Sequence, residues 1–494
     1  MVPETINHFI GGQYARSSYG KTFGVADPAT GKEYARVAVG LAADVNNAVR
    51  AALSAFETGP WPSLPARERA AVLNAIADAI DARADDIAGA ETLGTGLPVT
   101  QVQEQAARGA EQFRRAADLV AVRPAGDAPG APGRPGSVAQ RPAGVAGLIT
   151  PWRTPFLAQA RALASALAAG CTVVLCPDVW TPLPAALLAE ITTAAGLPDA
   201  VVNIVYGSGD WRGNGEGSRT AARDALVAHP RVARLSFAGE AEPGREVMRD
   251  AATHLKELSA ELAGDSPCLI FADADLEQAT DSALFGAFSL NGQRRTASSA
   301  ILAERPVYDA LVSRLAMRAR RIRVGAPSDP STELGALVHP EHHDRVSSYV
   351  RLGVREGARL AAGRRRPAGL AEGNYLEPTV LADVTPSMRI FQEQICGPVA
   401  RVTPFDTDEE AVSLANAARH APTAYLWTSD LQRAHRLAPV LEAAATWVNA
   451  HNAADLQAPS GAGREDGHDR IGFYTRSRAV HLAADDGPAP RLGA

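Results

Sequence analysis

Along the chain, short wholly apolar runs alternate with amphipathic stretches of helical period. In the segment FGVADPATGKEYARVAVG, apolar and polar positions alternate around turn residues at 28–31, which predicts strands. Over 66–87, Val72, Leu73, Ile76, Ile80 and Ile87 recur near helical spacing, and Gly94 and Gly96 end the pattern. A second helix is predicted over 102–119. Residues 124–142 are too dense in Pro and Gly for a helix or a central strand and read as an exposed excursion. Beyond them, strands at 144–150, 172–175, 201–205 and 233–237 alternate with helices at 156–169 and 185–195. The second half repeats the alternation, with strands at 268–271, 300–303 and 400–402 and helices at 274–290 and 306–320. From about 478 the chain reads as one strand and a frayed tail. Apolar strands joined by helices predict parallel sheets covered on both faces, the doubly wound α/β class. A nucleotide site at the carboxyl ends of the strands is then the default expectation.

Composition changes this picture little. The 494 residues are 46% hydrophobic and 21% charged, enough for a large core without staples. A net charge of −6 without a dense Lys/Arg block argues against nucleic-acid or membrane partners. Four cysteines, Cys171, Cys176, Cys268 and Cys396, give no disulfide framework and suggest a reducing compartment. The Cys171/Cys176 pair has no second pair at zinc spacing, so no metal is expected. His339, His342 and His343 read as a solvated helix start. The N-terminus lacks the basic and apolar regions of a secretory signal. The longest apolar stretch, 162–176, is broken by Gly170 and too short to span a bilayer. A cytoplasmic location is expected.

Seven segments in order resemble the aldehyde dehydrogenase superfamily. They run from GVAGLITPWRTPF through VVNIVYGSG, then RLSFAGEAEPGR, ELAGDSP, NGQRRTASSA, QEQICGPVA, WVNAHN and SGAGREDG. The resemblance implies an aldehyde dehydrogenase-like α/β fold in three parts. A Rossmann-like domain would take 1–123 and 143–257, an α/β catalytic-type domain 258–470, and a small β oligomerisation excursion 124–142 and 471–494. A homodimer or homotetramer is implied, with a hetero-oligomer as the alternative.

The family's chemistry needs a thiolate two residues after the Gln of Gly-Gln. In this chain Gly292-Gln293 is followed by Arg294 and Arg295, and a guanidinium is no nucleophile. Thr296, Ser298 and Ser299 are the nearby hydroxyls. Where the family has an oxyanion-binding Asn after Pro-Trp, the chain has Arg153 after Pro151-Trp152. Glu261 matches the family's general base, so an Arg153–Glu261–Arg295 cluster is expected, either an anion pocket or a plug.

The cofactor positions depart as well. Cys176 and Val179 stand where the family's Lys and Glu hold a ribose. Glu240 begins the helix that faces the pyrophosphate and would mimic the phosphate. Gln394 and Cys396 replace the Glu and Phe on the nicotinamide side, while Trp152 and 460–465 are kept. A longer Gly-rich loop is expected at 209–222. Taken together these changes predict no bound cofactor, with NAD or NADP as the alternative. The expected function is a non-redox reaction on, or binding of, an anionic or carbonyl small molecule. The alternatives are a pseudoenzyme scaffold or regulatory subunit, and residual NAD(P)-dependent aldehyde oxidation with an unrecognised nucleophile.

Overall fold

The computed structural model describes residues 2–122, 126–128, 136–207, 221–417, 421–451 and 470–481. Its first seven-stranded sheet is built from β1 (His8–Ile10), β2 (Gln13–Ala15), β3 (Val145–Thr150), β4 (Thr172–Pro177), β5 (Val202–Ile204), β6 (Val232–Gly239) and β7 (Glu257–Leu262). The spatial order is β7-β6-β3-β4-β5-β1-β2. The run from β7 to β5 is parallel, and β1 and β2 close the edge antiparallel. Every side chain of β3 and β4 is buried, as their unbroken apolar sequences require of a sheet covered on both faces. Chain order reverses at β3, with β4 and β5 on one side and β6 and β7 on the other. The carboxyl ends of β3 and β6 therefore flank a crevice of the kind where doubly wound sheets bind ligands.

The second seven-stranded sheet contains β8 (Pro267–Ile270), β9 (Ala300–Glu304), β10 (Arg359–Ala362), β11 (Thr379–Ala382), β12 (Val399–Phe405), β13 (Ala424–Trp427) and β14 (Thr446–Val448). Their order is β10-β11-β12-β9-β8-β13-β14, with only β10 antiparallel. Each sheet has its own apolar core. Within the Pro/Gly-rich excursion, Gly136–Pro142 pairs antiparallel with Thr475–His481 and with Gly126–Ala128.

Five helices matter for the site: α1 (Val99–Val122), α2 (Pro155–Ala168), α3 (Ala241–Thr253), α4 (Leu276–Phe288) and α5 (Pro340–Glu356). The helix expected over 66–87 is two, Ala66–Ala82 and Ala84–Thr95, parted at Arg83. The second ends on Gly96 in the left-handed region, φ +73°, a stop that glycine makes without steric cost. Among the described residues no helix is long and apolar enough to cross a membrane. The Gly-rich loop and the 460–465 block fall largely or wholly outside the described residues.

Candidate active site

A cleft of about 700 Å³ runs from the carboxyl ends of β3, β4 and β6 to the loop that carries Arg294, Arg295 and Thr296. That loop is held in an unusual backbone. Leu290, Asn291 and Gly292 are all left-handed, with φ of 51°, 58° and 66°. A Cβ at Gly292 would lie 2.1 Å from the Gly397 carbonyl oxygen, so only glycine fits. The fully buried Asn291 amide donates to Gly96 O at 2.9 Å and Ala336 O at 2.8 Å and accepts from Gly335 N at 2.7 Å. The Gln293 side-chain oxygen accepts from Val338 N at 3.1 Å. The residues at the expected nucleophile position therefore hang from a rigid anchor.

Glu261, near the end of β7, is 3% exposed and lines the cleft. Its Oε2 accepts from Arg161 of α2, and its Oε1 has no hydrogen-bond partner among the described residues. The expected Arg153–Glu261–Arg295 cluster is thus corrected. All three residues line the cleft, but the arginine bonded to Glu261 is Arg161. Leu157, Ala158 and Arg161 line the cleft at i, i+1 and i+4 of α2, and this helical spacing is the signal in the sequence that points to Arg161.

Arg153 goes elsewhere. Its guanidinium lies 5.0 Å from the Trp152 ring and donates to Glu240 Oε1 at 3.2 Å. Arg345 of α5 holds the other Glu240 oxygen at 2.8 Å. Burial opposes ionisation of Glu240, but Arg153 and Arg345 outweigh it and bring its pKa down to about 2. The same helix corrects the reading of the histidines. His339 caps α5 and stacks on Trp180 at 4.7 Å, while His342 is buried against Trp152 at 4.8 Å and donates to Cys396 O at 2.5 Å. Burial pushes His342 down to about 4.

At the chemical end Arg108, Arg161, Arg294, Arg295 and Arg470 share the lining with one carboxylate, Glu261, among the described residues. Arg294 lies 5.0 Å from the Phe285 ring and donates to Ser289 Oγ at 3.0 Å. No carboxylate among the described residues forms an ion pair with Arg294, and burial lowers its pKa. An arginine placed as Arg294 is favours an anion.

At the cofactor end, Cys176 and Val179 are buried and line the cleft. Gln394 donates its amide to Gly264 O at 2.8 Å. Cys396 packs with Trp152 and Val338. A dinucleotide still finds main-chain and hydroxyl partners. Glu240, the N-cap of α3, does not bond the helix with its side chain, so the first-turn N–H groups receive no cap from it. Ile149 pairs with Phe237, which puts Thr150 level with Ala238 beside that helix start. Thr150 is 4% exposed, lines the cleft, and its Oγ1 has no hydrogen-bond partner among the described residues. An uncapped helix start and an orphaned hydroxyl at the switch point suit a pyrophosphate.

All four thiols are buried, and burial raises each: Cys176 and Cys268 to about 12, Cys396 to about 11, and Cys171 in the same direction. Of these, Cys176 lines the cleft, at its cofactor end.

Comparison with known proteins matches residues 14–480 to the aldehyde dehydrogenase family. The chain is 40% identical over 474 residues to 5-carboxymethyl-2-hydroxymuconate semialdehyde dehydrogenase of Escherichia coli, covering 94% of this chain and 97% of the relative. It is 37% identical over 489 residues to 2-hydroxymuconic semialdehyde dehydrogenase of Pseudomonas sp. (strain CF600), with 96% and 99% covered. An aldehyde dehydrogenase from Bacillus cereus, solved as an NAD+ complex, superposes with a TM-score of 0.91 at 33% identity, covering 98% of this chain and 97% of that one. These likenesses overturn the expectations of a non-redox or pseudoenzyme role and of no cofactor. Near-full-length relatives are named dehydrogenases, and a solved relative holds NAD+. The physical reason lies in the cleft. The substitutions at Cys176, Val179, Gln394 and Cys396 remove side-chain contacts, whereas the helix start, Thr150 and the switch-point crevice remain. By extent of sequence and fold alike, this chain belongs to the aldehyde dehydrogenase family.

Proposed function

We propose that the chain oxidises a carboxylate-bearing aldehyde, a semialdehyde, to the acid with NAD as hydride acceptor, and that it does so without a cysteine at position 295. The observation that carries this reading is Glu261. It is a buried carboxylate with one oxygen on Arg161 and the other without a partner among the described residues, in the same cleft as the proposed dinucleotide cradle. The names of the near-full-length relatives support the substrate class, and Arg294, which pairs with no carboxylate among the described residues, supports its charge.

With no reactive thiol at the chemical end, water is the nucleophile. Glu261 Oε1 takes a proton from water as the water oxygen bonds to the aldehyde carbon. The carbonyl oxygen becomes an alkoxide, whose charge the Arg295 guanidinium of the same lining would stabilise. NAD, when bound, would supply the acceptor for the hydride that leaves this carbon as the C=O bond re-forms. The aldehyde carbon loses two electrons with the hydride, the proton stays on Glu261, and the product is a carboxylic acid. Arg294 would hold the remote carboxylate, and Thr150 with the α3 start would hold the pyrophosphate.

The test is the rise of reduced-nicotinamide absorbance with NAD and matched aldehydes with and without a second carboxylate. Turnover is expected for the carboxylate-bearing members, and Glu261→Gln should lower kcat by about 100-fold or more. A flat trace across the panel overturns the proposal.

A further inference from the structure

Glu240 occupies a place that no catalytic step above requires. It sits at the start of α3 beside Thr150, yet its carboxylate turns from the helix N–H groups to Arg153 at 3.2 Å and Arg345 at 2.8 Å. The two arginines come from different parts of the fold. Arg153 follows β3 of the first sheet, and Arg345 lies in α5, which packs near the second sheet. Arg153 is almost fully buried over Trp152, so its guanidinium has little room to reach solvent. One carboxylate therefore carries two cations, and the group of three is one positive charge in excess. An anion of higher charge with more acceptor oxygens would satisfy both forks better.

From this geometry we propose that Glu240 is a built-in competitor for the dinucleotide's pyrophosphate. When the pyrophosphate binds, Glu240 is displaced and Arg153 and Arg345 transfer to the phosphate oxygens, alongside Thr150 Oγ1 and the α3 N–H groups. The inference rests on the cofactor reading above. It adds that cofactor affinity is set by an exchange of partners at two arginines.

The experiment titrates the holo-competent full chain with ADP-ribose, which carries the pyrophosphate but cannot accept a hydride, so that binding is read apart from turnover. Trp152 and Trp180 flank the site and supply a fluorescence signal, and calorimetry supplies the Kd. Glu240→Gln should tighten the Kd about tenfold, because the competitor is removed, and Arg345→Gln should weaken it about tenfold, the worth of one charge-assisted hydrogen bond. A gain in affinity cannot come from misfolding, so Glu240→Gln keeps the test decisive if Arg345→Gln is unstable. Equal Kd values in all three proteins overturn the inference and leave the cofactor reading standing. Binding by Glu240→Gln but not by the wild type supports the competitor role and overturns the cofactor reading. No binding by any of the three overturns both. If inorganic phosphate binds with this variant dependence and ADP-ribose does not, the assignment to a pyrophosphate is overturned.

Discussion

The loop that presents Arg294, Arg295 and Thr296 stands on Asn291, and Asn291→Ala measures how much. The side chain is fully buried and makes three hydrogen bonds, to Gly96 O, Ala336 O and Gly335 N. Removing it forfeits those bonds and strands two carbonyls and an N–H away from water. At about 1 kcal/mol net per bond, plus the cost of the stranded groups, the loss comes to roughly 3–5 kcal/mol. The backbone adds to it, because Asn291 has φ +58°, where asparagine is tolerated and alanine costs about 1 kcal/mol or more. Asn291→Gly loses the same bonds without that backbone term, so it should be less destabilised than Asn291→Ala by about 1 kcal/mol. Urea unfolding followed by tryptophan fluorescence, with unfolding rates compared where refolding is incomplete, gives both differences. A loss below about 1 kcal/mol for Asn291→Ala would refute the claim that these bonds fix the loop.

Three further outcomes follow from the same geometry. His342 is held at about 4 against an ordinary 6.5, so it is neutral in the fold where the unfolded chain would bind a proton. Its folded-state pKa is depressed, so stability rises with pH across the window from about 4 to 6.5, and the wild type should lose roughly 3 kcal/mol relative to His342→Gln as pH falls through it; parallel stability curves for the two proteins would contradict this. Arg294→Met should raise KM about tenfold for carboxylate-bearing aldehydes and leave uncharged ones unchanged; an equal rise for both would remove Arg294 from substrate recognition. Iodoacetamide on the native protein should leave turnover intact, because burial keeps the four thiols protonated; rapid inactivation would point to a reactive cysteine.

The sheets were legible because their strands are unbroken apolar runs. Runs such as Val145–Thr150 and Thr172–Pro177 lie where the pattern puts them to within a residue or two. The break at Arg83 was not legible, because Ile80 and Ile87 keep helical spacing across it. At the site, Glu261, Arg153, Arg294, Arg295 and Glu240 were legible from short motifs, and all five line one cleft. Their partners were not. Arg161 and Arg345 carry no motif, and what brings them in is helical phase. On α5, Glu341, His342 and Arg345 line the cleft at i, i+1 and i+4, although HPEHHDR reads as solvated. Cofactor use was misjudged for a related reason. Side-chain losses at Cys176, Val179 and Gln394 are visible in a sequence, whereas an uncapped helix start and the Thr150 hydroxyl are properties of the folded backbone.

The most direct test of oxidation without a thiol at position 295 follows a single turnover of a semialdehyde with NAD, reading reduced nicotinamide, acid product and the intact mass of the protein together. Reduced nicotinamide should form one for one with the acid, at a rate that falls with Glu261→Gln, while the protein mass stays unchanged throughout. A transient acyl adduct on any of the four cysteines, or no reduced nicotinamide at all, would contradict it.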